Sequence, residues 1–137
     1  MKRLFSLLLA SILFCTAIFP ASAAVSDPVE PCFDYIRSTA ETFTIDETTG
    51  IAYCYARCYT GREDVTIKII GTLQQYNSGT WNYINSWTQT GTLYAIMDRQ
   101  WAVYSGYIYR FFVHVYIYDT EGNLLETDTL SRTYNYF

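Results

Sequence analysis

The chain holds a single histidine, His114. Any Ser-His-Asp or Cys-His relay, and any imidazole-based metal site, would have to be built on it. Zinc takes three or four nitrogen or sulfur ligands, and one histidine does not supply them. No Gly-x-Ser-x-Gly elbow occurs, and no cysteine stands in a context that would lower its pKa. The carboxylates fall mostly in loop-like stretches, as Asp46 and Glu47, Glu63 and Asp64, and Asp119 and Glu121. Loop acids can cap turns, or act as a pair on a glycosidic bond if two loops bring them together. No Asp-x-Asp-x-Asp-Gly run marks a calcium loop. These residues point away from an enzyme, and neither a cofactor nor a metal is expected.

The aromatic content is the more informative signal: 14 Tyr, 8 Phe and 3 Trp. In Ile51 to Thr60, Ala52, Cys54, Ala56 and Cys58 alternate with Tyr53, Tyr55, Arg57 and Tyr59. Alternate side chains of a strand point to opposite faces, so the small residues go inward and the Tyr/Arg set outward. Tyrosine gives much contact area for little lost conformational freedom. Tyr53, Tyr55 and Tyr59 are therefore the candidate binding residues. Aromatics also favour strands and cores. Trp87 and one face of Tyr107 to Ile117 are expected inside, with Tyr109 placed to make a tyrosine-corner hydrogen bond.

The elements that must position these residues are extended. Asp64 to Trp87 contains two runs flanking Asn77-Ser78-Gly79, residues suited to a tight hairpin. Val65, Ile67, Ile69 and Leu73 share one parity of the first run, and Trp81, Tyr83 and Trp87 share one parity of the second. This hairpin is expected at the centre of the fold. Before it come strands over Tyr35 to Ile45 and Ile51 to Thr60, joined by Asp46 to Gly50. After it comes Leu93 to Val103, a strand with a helical turn as the alternative. Tyr107 to Asp119 is the longest run, with Ile108, Arg110, Phe112, His114, Tyr116 and Tyr118 on its second face, and Leu124 to Phe137 closes the chain. About seven runs between Gly- and Asn-containing turns predict an all-β protein, an antiparallel, immunoglobulin-like β-sandwich.

The N-terminus carries an address. Lys2 and Arg3 precede an apolar run from Leu4 to Phe19, and Ala21-Ser22-Ala23 is a small-x-small cleavage site. The run is short of the roughly 20 residues a bilayer span needs. Residues 1–23 are expected to be a signal peptide, 24–34 a short tether and 35–137 a single domain. The product would be secreted, free or held at the cell wall, with no stable membrane insertion after cleavage. Net charge is −4, and loss of Lys2 and Arg3 makes the remainder more acidic. That gives no electrostatic footprint for nucleic acid. Cys15 would leave with the leader. Cys54 and Cys58 lie too far apart along one strand to bond each other. Either Cys32 pairs with one of them, Cys54 first, or all three thiols are free.

Three stretches carry a resemblance. Ile67 to Trp87 (IKIIGTLQQYNSGTWNYINSW), Gly50 to Gly61 (GIAYCYARCYTG) and Ser105 to Tyr118 (SGYIYRFFVHVYIY) resemble an uncharacterised family of small secreted β-rich proteins from clostridial Gram-positive bacteria, a domain of unknown function. The shared features are a strand ending Leu-Gln before a turn and a Ser-Trp pair, the cysteine at Cys54, and the Gly-Tyr-x-Tyr-Arg strand. The chain departs from it at Cys58, where an aliphatic residue is usual, and in its greater number of tyrosines. The resemblance implies secretion and a β-sandwich, and it brings no catalytic residues.

Three functions compete. The first is a non-catalytic module that binds an extracellular partner, an envelope glycan or a protein, through Tyr53, Tyr55 and Tyr59. The second is a small hydrolase of wall polysaccharide using loop carboxylates. The third is a self-assembling structural domain whose aromatic strands pair between chains at exposed edges.

Overall fold

The structure, a computed structural model, describes residues 33–137. The leader at 1–23, nearly all of the 24–34 tether, and Cys32 of the expected Cys32–Cys54 pair lie outside the described residues. Seven strands follow in order: β1 (Ser38–Asp46), β2 (Ile51–Tyr59), β3 (Thr66–Asn77), β4 (Thr80–Gly91), β5 (Tyr94–Ala102), β6 (Tyr107–Tyr118) and β7 (Leu124–Tyr136). All pairings are antiparallel, and no helix occurs among the described residues. The strands form a three-stranded sheet, β1-β2-β5, and a four-stranded sheet, β4-β3-β6-β7. This is the expected immunoglobulin-like sandwich. The stretch Leu93 to Val103 is strand and not helical turn.

The turns follow their residues. Ser78 and Gly79 both take positive φ, 51° and 89°, between the paired Asn77 and Thr80. Two such residues give the connection whose twist suits a tight hairpin. In the β6–β7 loop the Asp119 carboxylate accepts from the Glu121 and Asn123 backbone N–H groups, at 2.9 and 2.8 Å, and from the Asn123 side chain.

The two sheets contribute unequally to the core. From β2 come only small residues, Ala52, Cys54, Ala56 and Cys58, all fully buried. Facing sheet volume comes from Ile67, Ile69 and Leu73 of β3 and from Tyr109, Phe111, Val113, Val115 and Ile117 of β6. Small against large keeps the interior filled at crystal-like density. Gly71 is a tight point of this core, since a Cβ there would lie 2.6 Å from Met97 Sδ and 2.7 Å from the Phe111 ring.

One expectation about the central hairpin is corrected. Trp81, Tyr83 and Trp87 do not share a face. The register of β3 against β4 shifts between Leu73, opposite Asn85, and Gln74, opposite Tyr83, leaving Ile84 as an extra residue. A bulge of this kind reverses the alternation. Trp87 pairs with Gly71 on the inward side, and its ring meets Trp101 of β5 edge-on at 6.1 Å. Tyr83 and Trp81 pair with Gln74 and Tyr76 and point outward. The hairpin is also not symmetric about the centre: β3 is interior to its sheet and β4 is an edge. Strand β1 begins at Ser38 and not at Tyr35. The residues before it are held by Glu126, whose carboxylate accepts from the backbone N–H groups of Asp34, Tyr35 and Ile36 at 2.8, 3.0 and 2.7 Å.

Candidate functional site

The outward face of the three-stranded sheet carries the sequence candidates. Tyr53, Tyr55 and Tyr59 all project from it, because their strand neighbours are the buried Ala52, Cys54, Ala56 and Cys58. Tyr53 is 39% exposed, and Tyr55 and Tyr59 are half-buried. They are not equivalent. Tyr59 pairs across the strands with Tyr94 of β5, and the two rings stack at 4.6 Å with 19° between their planes. Tyr55 lies opposite Asp98, and Tyr53 opposite Gln100. A groove of about 250 Å³ is bounded by Ser38, Tyr55, Arg57, Tyr59, Tyr94 and Ile96. Tyr53 is not part of it. Tyr94, 56% exposed, and Ile96 were missed from sequence because the mixed apolar spacing of Leu93 to Val103 hid their parity.

A second cavity, of about 200 Å³, opens where the edge strands β4 and β5 leave the sandwich side uncovered. Gln75, Ile84, Trp101, Tyr104 and Tyr109 line it. The Tyr109 hydroxyl there accepts a long hydrogen bond from Gln75 Nε2 at 3.4 Å.

The turn acids are not among the residues lining either cavity, while Asp98 of β5, exposed, faces Tyr55 beside the first. Asp46 accepts from the Thr48 and Thr49 N–H groups, which holds its carboxyl below the usual carboxylate range. Asp64 is lowered by a two-pronged bond from Arg62, at 2.9 and 2.5 Å. Asp119 is lowered first by the Asn123 side chain. Glu47 accepts from the Tyr134 hydroxyl at 3.0 Å, Asp128 from the Thr39 hydroxyl at 2.7 Å, and Glu41 pairs with Arg132 at 3.1 Å. No group of three His, Cys, Asp or Glu that could hold a metal occurs among the described residues. His114 lies on the outer face of β6, 3.4 Å from the Thr129 hydroxyl.

Cys54 and Cys58 point into the core and are not bonded to each other. Burial pushes both thiols up to about 12, and at Cys58 the charges of Asp128 and Glu126 add to it. Neither is a nucleophile at neutral pH, because the thiolate is the reactive form.

The outer face of the four-stranded sheet was passed over in sequence. On β6, Phe112 and His114 meet edge-on at 4.6 Å, and His114, Tyr116 and Tyr118 follow as near-parallel rings 5.9 and 6.3 Å apart. Arg110 continues the row, with its guanidinium 4.2 Å from the Trp81 ring centre and 5.2 Å from that of Phe112. Its Nε and Nη2 donate to Gln74 Oε1 at 3.0 and 2.6 Å, which fixes its plane. The alternation of β6 was visible in the sequence. The Trp81 contact was not, since it depends on the bulge at Ile84.

Comparison with protein-family models, with curated proteins and with solved structures gives no match.

Proposed function

We propose that the chain is a secreted, non-catalytic β-sandwich module that binds an extracellular partner, an envelope glycan before a protein. The observation that carries this reading is the stacked Tyr59–Tyr94 pair beside the groove that Tyr55, Arg57 and Ile96 complete. Two fixed aromatic rings beside a guanidinium suit a sugar: the rings cover its apolar C–H face, and the charged fork reaches its oxygens. The placement of the acids favours binding over hydrolysis. Asp46, Asp64 and Asp119 are each engaged within their own turn or by a neighbouring cation. Export is supported by the basic and apolar leader with its Ala-Ser-Ala site. It is also the setting in which a Cys32–Cys54 bond would form.

The test is retention of the protein, recovered after expression of the full chain, on purified cell-wall and polysaccharide fractions, with reducing ends assayed in the same samples. Retention without sugar release, lost in Tyr59→Ala and Tyr94→Ala, is the expected result. Release of reducing ends would overturn the non-catalytic reading. Retention unchanged in both variants would remove the groove as its site.

A further inference from the structure

We propose that the outer face of the four-stranded sheet is a second binding surface, and that its occupant is a linear acidic polysaccharide lying along β6. It shares with the reading above only that the chain is exported.

The shape of this face is a ridge. Arg110, Phe112, His114, Tyr116 and Tyr118 alternate along one strand, and the eight residue steps between the first and the last span about 27 Å. On one side, β7 presents Thr127, Thr129, Ser131 and Thr133, all exposed and each paired with a ridge residue. On the other side β3 sets Lys68, Ile70, Thr72 and Gln74 beside the ridge, and β4 beyond it presents Ser86, Thr88 and Thr90. Short hydroxyl side chains beside a row of rings form a long, shallow track. Hydroxyls donate and accept, so they match the hydroxyls of successive sugar units while the rings cover their C–H faces. Protein partners are instead anchored by side chains that fill pockets, and the two cavities described above lie elsewhere.

The charge of the face selects the polymer. The chain as a whole carries −4. No carboxylate of these four strands points outward. The two acids inside β7, Glu126 and Asp128, pair with the buried Ile117 and Val115 and are turned to the other side. What the face does carry is Lys68, paired with Tyr116, and Arg110. A cationic track is complementary to a polymer bearing carboxylates, and the acidic remainder of the surface repels such a polymer, which confines it to this face. A second copy fits less well, because a two-fold interface sets each patch against itself and would bring these cations onto one another.

The experiment is native gel electrophoresis of the protein through polygalacturonate, which has a carboxylate on every ring, and through a neutral linear glucan of similar length, with light scattering alongside. Retardation by polygalacturonate alone, weakening as salt rises, is expected. Lys68→Glu, which leaves the rings in place, and Tyr116→Ala should each weaken it about tenfold or more, while Tyr94→Ala leaves it unchanged. Equal retardation in both polymers, or none in either, overturns the proposal. So does retardation that survives Lys68→Glu and Tyr116→Ala but is lost in Tyr94→Ala, which would move binding to the other face. A doubled mass that Lys68→Glu abolishes would make the occupant a second copy. Loss of wall retention in the Tyr59 and Tyr94 variants reports on the groove alone, so the two readings fail separately.

Discussion

The Tyr109 hydroxyl closes a ring with the backbone of Tyr104, accepting from its N–H at 3.2 Å and donating to its C=O at 2.8 Å. This ties the connection between β5 and β6 to a side chain that is 1% exposed. Tyr109→Phe keeps the ring but leaves two backbone groups without their partner. It should cost about 1–3 kcal/mol in urea unfolding. The phenol's pKa is raised above 10.0, chiefly by burial. A raised folded value means that its contribution is complete below about pH 10 and is lost as pH rises through that folded value. The Phe variant should therefore lose less stability between neutral pH and pH 11 than the parent. Equal alkaline loss in both proteins would place the sensitive group elsewhere.

Gly71 leaves no room for a side chain between its own sheet and Met97 of the facing one. Gly71→Ala drives a methyl into Met97 and the Phe111 ring, 2.6 and 2.7 Å away. Ring and strand cannot both stay, and overpacking of this kind costs about 1–3 kcal/mol. A lowered urea midpoint with an unchanged slope is the expected result. A neutral substitution would mean that the sheets separate without cost.

Glu126 holds three consecutive backbone N–H groups with one carboxylate. Glu126→Ala should release the segment before β1 and leave the sandwich intact. Hydrogen exchange reads this directly: the Tyr35 and Ile36 amides should lose protection, while Ile69 and Val113 keep theirs. Protection retained at Ile36 would show that its burial suffices without the carboxylate.

Cys54 and Cys58, pushed up to about 12, should not react with a disulfide reagent in the native protein at pH 8. Denaturing the unreduced chain then counts thiols. In a chain lacking residues 1–23, three would mean that Cys32 is free, and one would mean that it is bonded to Cys54 or Cys58. Rapid reaction of either core thiol before unfolding would contradict its burial.

The architecture was legible because β2, β3 and β6 each carry a clean parity. Ile67, Ile69 and Leu73 alternate with polar or half-exposed neighbours, and the turns are punctuated by Ser78-Gly79, Gly106 and Gly122 with positive φ. Tyr109 could be placed in its corner from the strand alone. The candidate faces were less legible for a physical reason. Alternation says which side chains share a side of one strand, but not what lies beside them on the next. Tyr59 acquires its meaning from Tyr94, 35 residues later in the chain and opposite it in the sheet. The ridge on β6 acquires its Ser/Thr border only from the β6–β7 register. Ile84 shows the other limit: one extra residue turned Trp81 and Tyr83 away from Trp87, and nothing in its apolar character announces a bulge.

The pairing of β3 with β6 carries a consequence for how the molecule comes into being. These two strands supply most of the core, yet Thr66 meets Tyr118 across half of the described chain. Loop-closure entropy must be overcome before such distant contacts return anything, so sandwiches of this kind fold in milliseconds to seconds. Until β6 has been synthesised, the apolar side of β3 has no partner strand on its inner flank. The core therefore cannot close around β3 until β6, late in the chain, is in place.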